Sequence, residues 1–237
     1  GKLNALLRPY ARGFYSSYEE GENHCDYPIS ESYFTFARTR DTIKTVIFLG
    51  GSQGAKFIND LALEIAPWLR ERGIQIIHQC GSKEEERVTN AYNDMKIEAE
   101  VYGFTTQISS LIERSDLAIS RSGASTLWEL CAARLPAFFI PYPSAAGDHQ
   151  YHNARYIIDH HAGWCERQGE GLIHKLKEAL QSDITPKSEI LATLIKPNGA
   201  REILHKIEEN HTSSKKPEEL LYQPHQSVQD TNTHVRM

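Results

Sequence analysis

The chain has 237 residues, of which 40% are hydrophobic, and a formal net charge of −5. This length suits one large domain or one domain with additional segments, and the apolar fraction can build a packed core. Proteins that bind nucleic acid usually carry a basic surplus or a basic face, so the acidic balance argues against nucleic acid as a partner. The sequence has no apolar run near the roughly 18 residues that a membrane-spanning helix needs, and no visible signal peptide.

The four cysteines are spread along the chain without a C-x-x-C pair. Such spacing indicates buried thiols in a reducing, cytoplasmic compartment rather than a disulfide framework or a zinc site. The sequence opens at Gly1 instead of a methionine, and we therefore expect either a fragment or a processed form of a longer protein.

The two ends of the chain differ in composition from its middle. Residues 2–12 have the pattern of a short amphipathic basic helix, followed by a strand-like stretch over 13–17 and a polar connection up to position 42. We assign 1–35 to the end of a preceding domain and its linker, or to packing for the domain that follows, and 36–208 to one α/β domain. The composition of 209–237, rich in Gln, His, Ser, Thr and Pro, predicts a disordered tail.

Short apolar runs alternate with helical periodicity from position 45 onward. This alternation predicts right-handed βαβ units and a Rossmann-like, doubly wound parallel sheet. The expected strands are 45–49, 74–78, 100–102, 117–120, 137–140 and 163–165. The expected helices are 55–70, 83–94, 107–114, 124–133, 149–161, 172–180, 186–194 and 199–207. In such a sheet the strand-to-helix turns share one edge, where ligands bind.

The turn at 120–123 follows a buried apolar strand and opens a helix. The unbonded N–H groups and positive dipole of a helix N-terminus favour phosphate, and Ala124, Ser125 and Thr126 form that first turn. Glu129 shares a helix face with Ser125, where a ribose diol would lie. The same residues fit a capping box, in which Thr126 caps the helix and Glu129 folds back onto its start. Local sequence leaves both interpretations open.

The segment 50–55 reads Gly-Gly-Ser-Gln-Gly-Ala, and Ser52 and Gln53 offer donors beside a helix N-terminus. Its glycines fall at offsets 0, 1 and 4, whereas a dinucleotide fingerprint needs 0, 2 and 5. It also lacks the glycine and the Ser/Thr that flank the lysine of a P-loop. The segment is either a second donor loop for phosphate or a structural tight turn.

Two further turns offer side chains for a base and for a sugar. Phe104 and Thr105 follow a strand end, where an aromatic ring either stacks on a base or belongs to the core. The later turn carries His149, Gln150 and Asn153, a neutral hydrogen-bonding cluster that suits an uncharged polyol.

We expect neither a metal nor a cofactor. His149 and His152 lie three positions apart, but no third ligand follows at a zinc-like spacing, and the sequence has no D-x-D pair for a divalent cation. Asp148 beside them is placed to cap a helix. A helix dipole would then stabilise a departing diphosphate. Together the four turns favour a sugar nucleotide over a dinucleotide.

Three motifs resemble the MurG family of N-acetylglucosaminyltransferases: 50–55, 120–126 with Glu129, and 141–154. They occur in the family's order and spacing, and the resemblance covers about residues 1–208. It implies the C-terminal, donor-binding half of a GT-B fold, in which two Rossmann-like domains face a cleft. It also implies inverting transfer of GlcNAc from UDP-GlcNAc to lipid I, which forms lipid II for peptidoglycan.

The resemblance further implies which residues contact UDP-GlcNAc. By role these are Ser52 and Gln53 for the diphosphate, Phe104 and Thr105 for the uracil, Ala124, Ser125 and Thr126 for phosphate, Glu129 for the ribose hydroxyls, and His149, Gln150 and Asn153 for GlcNAc.

Other functions of this family belong to an N-terminal domain that is mostly absent from this sequence. They are the proposed catalytic base, the lipid I site and the patch that binds the cytoplasmic face of the inner membrane, so we expect the chain alone to be inactive. The family often has Asn-Pro-Val-Arg where this chain has Tyr-Pro-Ile-Ser at 27–30, and Arg121 is our candidate for the lost cation. The alternatives are a donor-binding subunit of a split transferase and a non-catalytic nucleotide-sugar-binding protein.

Overall fold

The computed structural model describes residues 6–11, 13–18, 21, 23–51 and 55–213. Within these ranges six strands form one parallel sheet in the order β3-β2-β1-β4-β5-β6. The strands are β1 Thr45–Leu49, β2 Gln75–Gln79, β3 Glu100–Tyr102, β4 Leu117–Ser120, β5 Ala137–Phe139 and β6 Trp164–Cys165. The strand order reverses between β1 and β4, which is the switch point where open α/β sheets bind ligands.

Nine α-helices lie in the described ranges and cover both faces of the sheet. They are α1 Glu31–Thr35, α2 Lys56–Glu71, α3 Glu85–Asp94, α4 Ile108–Glu113, α5 Ala124–Ala132, α6 His149–Asp159, α7 Leu172–Leu180, α8 Thr185–Leu194 and α9 Gly199–Ser213. Helices α2, α3 and α7 pack on one face, and α4, α5, α6 and α8 on the other.

Strand β1 shows why the sheet is buried on both sides. Val46 and Phe48 point into one apolar core, and Ile47 and Leu49 point into the other, because successive strand residues face opposite ways. Strands buried on both faces read as continuous apolar runs in the sequence. The predicted Rossmann-like sheet is therefore confirmed, and the elements between positions 45 and 194 agree with the predictions to within about two residues.

The beginning of the chain departs from the predictions. Of the helix predicted over 2–12, residues 6–10 are helical and end in a 3-10 turn at Arg8–Tyr10, and the rest lies partly outside the described residues. The strand predicted over 13–17 is wrong, because Ser16 forms an isolated bridge to His24 and no longer ladder. Leu6, Leu7 and Tyr10 are 68%, 50% and 85% exposed, so the apolar side chains in the described part of this segment do not belong to the core.

The predicted connection over 18–42 contains a helix that the sequence pattern did not reveal. Helix α1 begins after Ser30, whose side chain accepts a hydrogen bond from the Ser32 N–H. With five residues it is too short for a hydrophobic period, yet it buries Tyr33 in the core. The domain boundary between positions 35 and 36 stays a prediction.

Helix α9 corrects the start of the tail. It continues through 209–213, which we expected to be disordered. The remainder of the predicted tail lies outside the described residues.

A buried histidine joins β2 to two helices. His78 is fully buried, with Nδ1 3.0 Å from Tyr92 Oη of α3 and Nε2 3.0 Å from Asn59 Oδ1 of α2. Asn59 also donates to the carbonyl oxygen of Cys80 at 3.0 Å. A neutral imidazole that donates from Nε2 and accepts at Nδ1 satisfies every partner. Burial lowers the pKa of His78 to about 3, because the charged ring would lose its hydration.

We expect acid to destabilise the fold through His78. An unfolded histidine titrates near pH 6.5, whereas folded His78 stays neutral down to about pH 3. The unfolded state therefore binds more protons between these values, and stability falls as the pH falls through this window. Acidification from about pH 7 to about pH 5 should remove about 2 kcal/mol through this residue.

Chemical denaturation of the wild type and His78→Phe at both pH values measures this loss. The variant should be less stable at neutral pH, but its free energy of unfolding should decrease less on acidification. Equal decreases for the two proteins would contradict the assignment.

Candidate functional site

A pocket of about 280 Å³ opens at the carboxyl edge of the sheet, beside the switch point between β1 and β4. Five of the predicted site residues line it: Phe104, Thr105, Thr126, Glu129 and Gln150. These residues are contributed by turns far apart in the sequence. The parallel sheet brings the turns together at one edge.

The N-terminus of α5 opens at this pocket. Gly123 is its N-cap, and the first backbone hydrogen bond of the helix runs from the Leu127 N–H to the Gly123 carbonyl oxygen at 2.9 Å. The N–H groups at 124–126 therefore have no intrahelical partner. Since Thr126 lies inside the helix, the capping-box interpretation is wrong. The helix terminus is left available to an anion.

Glu129 lies one turn into α5 and lines the pocket with Thr126. Among the described residues its carboxylate has no hydrogen-bond or ion-pair partner. Burial raises the pKa of Glu129, because the half-buried carboxylate is poorly hydrated. An unpartnered carboxylate in a pocket can accept hydrogen bonds from ligand hydroxyl groups.

The Ser125 side chain is engaged elsewhere. Its hydroxyl oxygen lies 3.3 Å from Tyr27 Oη, and the Tyr27 ring stacks on Trp128 with centroids 6.3 Å apart. Within the described ranges neither Ala124 nor Ser125 lines the pocket. Their predicted contact with phosphate would therefore use backbone N–H groups, and it stays a prediction.

Of the predicted sugar-binding residues His149, Gln150 and Asn153, one lines the pocket and another hydrogen-bonds to the turn beside it. Gln150 lines the pocket, and its Oε1 accepts a hydrogen bond from the Tyr142 N–H at 2.9 Å. Asn153 Nδ2 donates to the Ser122 carbonyl oxygen at 3.1 Å, so this side chain holds the turn before α5. His149 is exposed and is not among the described residues that line the pocket.

Asp148 does not cap the helix that follows it. Its backbone is left-handed, with φ of 54°, and α6 receives no side-chain cap from it. Instead its carboxylate forms an ion pair with Arg167, which lowers the pKa of Asp148. The capping alternative for this residue is therefore wrong.

The pocket wall beside Phe104 includes a residue that the sequence pattern did not reveal. Phe104 is 65% exposed, so the interpretation of this ring as core is wrong. Gln79, at the end of β2, lines the pocket and donates from Nε2 to the Gly103 carbonyl oxygen at 3.3 Å. A Cβ on Gly103 would lie 3.0 Å from the Ser82 Cα and 2.2 Å from Glu85 Oε2, so a side chain at this position would have to displace the Glu85 carboxylate. The strand end was visible in the sequence, but the direction of its side chain was not.

The glycines that follow β1 occupy positions where a side chain would be too close to neighbouring atoms or would strain the backbone. A Cβ on Gly50 would lie 2.9 Å from Asn59 Oδ1 and 3.0 Å from the Gln79 carbonyl oxygen, and Gly51 adopts φ of 71°. Gly50 and Gly51 both line the pocket. Ser52 and Gln53 lie outside the described residues, so their donor role stays a prediction.

Neither a metal cluster nor a membrane-spanning helix occurs in the described part of the chain. It contains no group of three or more His, Cys, Asp or Glu residues that could hold a metal ion. None of the helices within it has both the length and the apolar character needed to cross a bilayer.

Fold and pocket together define a Rossmann-like α/β domain with a pocket at its switch point. The sequence profile described as the glycosyltransferase family 28 C-terminal domain matches residues 45–210. The chain belongs to this family.

Curated relatives are similar over most of the chain. The UDP-N-acetylglucosamine--N-acetylmuramyl-(pentapeptide) pyrophosphoryl-undecaprenol N-acetylglucosamine transferase of Sulfurimonas denitrificans is 54% identical over 191 residues, which cover 81% of this chain and 56% of the relative. The protein of the same name from Sulfurovum sp. is 51% identical over 203 residues, which cover 86% and 60%. The chain thus spans a little more than half the length of these relatives.

Solved structures support the fold. MurG of Acinetobacter baumannii has a TM-score of 0.73 at 24% identity, and the match covers 88% of this chain and 63% of that one. UDP-glucose:anthocyanidin 3-O-glucosyltransferase in complex with UDP has a TM-score of 0.51 at 17% identity, and the match covers 77% of this chain and 43% of that one. The resemblance stated from the sequence motifs is confirmed at the level of family and fold.

Removing the charge of Glu129 should stabilise the free protein. Because its pKa is raised on folding, the ionised carboxylate is less favourable in the folded than in the unfolded state, at any pH above its unfolded pKa. We expect Glu129→Gln to increase the free energy of unfolding at neutral pH, because the amide carries no charge to desolvate. The exposed Glu64 of α2 provides the matched control, Glu64→Gln, for which no change is expected. If denaturation showed Glu129→Gln to be less stable than the wild type, Glu129 would have a structural partner.

Proposed function

We propose that this chain is the donor-binding half of an inverting hexosyltransferase. The proposed enzyme transfers GlcNAc from UDP-GlcNAc to lipid I, forming lipid II for peptidoglycan synthesis. The curated relatives carry the name of this activity, and the chain is about half identical to them. The observation that carries the proposal is the shared pocket of the α5 N-terminus, Thr126 and Glu129.

The pocket offers a suitable group for each part of UDP-GlcNAc: the diphosphate, the ribose, the uracil and the sugar. The N-terminus of α5 and the Thr126 hydroxyl would bind the diphosphate, which is the negative part of the donor. Glu129 would accept hydrogen bonds from the ribose hydroxyls. Phe104 and Thr105 would frame the uracil, and Gln150 would hydrogen-bond to the sugar. Each of these groups lines the same pocket.

In the proposed reaction an acceptor hydroxyl oxygen attacks the anomeric carbon of GlcNAc. The bond from that carbon to the diphosphate oxygen breaks with inversion, and UDP leaves with the electron pair. The charge that develops on the leaving oxygen lies beside the helix N-terminus, whose oriented N–H groups are already in place. The step needs no metal ion in this scheme.

The acceptor side of the reaction is assigned to the part of the relatives that this chain does not span. We place the catalytic base, the lipid I site and the contact with the cytoplasmic face of the inner membrane there. Within this chain, 36–208 forms the donor domain and 1–35 connects it to the acceptor side.

Calorimetric titration with UDP and UDP-GlcNAc tests the donor site. The wild type should bind both, and Glu129→Ala should weaken both by about 10–100-fold, since a hydrogen bond to a charged group contributes about 1.5–3 kcal/mol. Glu64→Ala is the control and should leave both affinities unchanged. If titration with UDP at millimolar concentration released no heat of binding, the proposal would be contradicted.

A comparison of UDP with 2′-deoxy-UDP tests the ribose assignment itself. The wild type should prefer UDP, because the deoxy compound leaves one carboxylate oxygen of Glu129 without its hydroxyl. Glu129→Ala should bind the two nucleotides about equally. A preference that survives in the variant would place the ribose elsewhere.

A further inference from the structure

Arg121 is the one cationic side chain among the described residues that line the pocket. We propose that it is a positioning residue, which fixes the loop at 141–150 and thereby sets how strongly the site distinguishes UDP-GlcNAc from UDP. The inference rests on the proposed function, because it concerns the sugar end of the same pocket. It replaces the expectation that Arg121 supplies a cation to the diphosphate.

The hydrogen bonds of Arg121 are directed at protein backbone. Nη1 donates to the carbonyl oxygens of Ile140 and Pro141 at 2.9 and 3.1 Å. With the Gln168 amide oriented so that its oxygen faces the guanidinium, that oxygen accepts from Nη1 and Nη2 at 2.8 and 2.7 Å. The planar fork of an arginine can span these acceptors, which come from two separate segments.

The surroundings of the guanidinium keep it in place. Its Cζ lies 5.6 Å from the ring centroid of Phe57 and 5.5 Å from that of Tyr142, within the range at which an aromatic face attracts a cation. Nε is buried without a hydrogen-bond partner among the described residues, so it is closed to a ligand in the pocket. The hydrogen bonds of Nη1 and Nη2 thus hold two segments of the protein together.

The next residue holds the other end of the same loop. Ser122 Oγ donates to the Gln150 carbonyl oxygen at 2.8 Å, and the Ser122 carbonyl accepts from Asn153. The Gln150 side chain in turn accepts from the Tyr142 N–H. Two consecutive residues of the β4–α5 turn therefore fix both ends of the loop that presents Gln150. The same turn leads into the N-terminus that would bind the diphosphate, so the phosphate and sugar ends of the pocket share one support.

The test compares two ligands and two substitutions. Calorimetry of UDP and UDP-GlcNAc with Arg121→Met should show at least a tenfold loss of affinity for UDP-GlcNAc and at most about a threefold loss for UDP. Arg121→Lys should fall between Arg121→Met and the wild type, because one ammonium group cannot span the two segments. The control is Arg155→Met, which removes an exposed arginine paired with Asp159 on the surface of α6.

Hydrogen exchange of the backbone at 141–150, measured without ligand, gives a second readout. Exchange should increase in Arg121→Met and stay unchanged in Arg155→Met. If Arg121→Met does not fold, Arg121→Lys carries both measurements.

The outcomes separate this inference from the proposed function. Equal losses for UDP and UDP-GlcNAc would mean that Arg121 contacts the diphosphate, and unchanged exchange at 141–150 would mean that it does not fix the loop. Either result overturns the inference. If the wild type binds neither ligand, the proposed function fails, and the exchange measurement still decides the positioning role.

Discussion

The uncapped N-terminus of α5 is the constraint on which the site depends. Strand β4 lies at the point where the strand order reverses, and the chain then turns through Gly123 directly into a helix. Gly123 has no side chain to cap the helix, and Glu129 does not fold back onto it. The positive end of the helix dipole is therefore presented to the pocket, where it favours a negative ligand.

The carboxyl end of α5 is buried, and its free carbonyl groups are hydrogen-bonded by a side chain. Arg40 is fully buried and donates to the carbonyl oxygens of Ala133 and Ile112, near the ends of α5 and α4, and to that of Ser115 at 3.3 Å. A cation at the carboxyl end of a helix complements the dipole and satisfies carbonyls that lack an intrahelical partner. One end of α5 is thus satisfied by the fold, while the other is open.

The sequence predicted the fold well because burial on both faces of the sheet makes β1 and β4 continuous apolar runs, and packing on the sheet gives the helices between them a hydrophobic period. The prediction failed for segments that show neither pattern. Helix α1 is too short to show a period, and its stability comes from the Ser30 cap and the burial of Tyr33. The strand expected at 13–17 has the right residue types, but within the described part of the chain it forms one isolated bridge and no ladder. The site was predictable in part. Thr126 and Glu129 follow from helix geometry once the strand end is known, whereas the directions of Gln79 and Arg121 depend on partners far away in the sequence, so no local pattern gives them.

The most direct test of the open helix terminus is the NMR signal of its own backbone amides. Titration with UDP, and with pyrophosphate as the charged part alone, should shift the amides of 124–126 first and furthest, because their N–H groups would donate to the phosphate oxygens. If UDP binds and these amides remain unmoved while signals elsewhere change, the anion binds in another place and the α5 N-terminus is not the phosphate site.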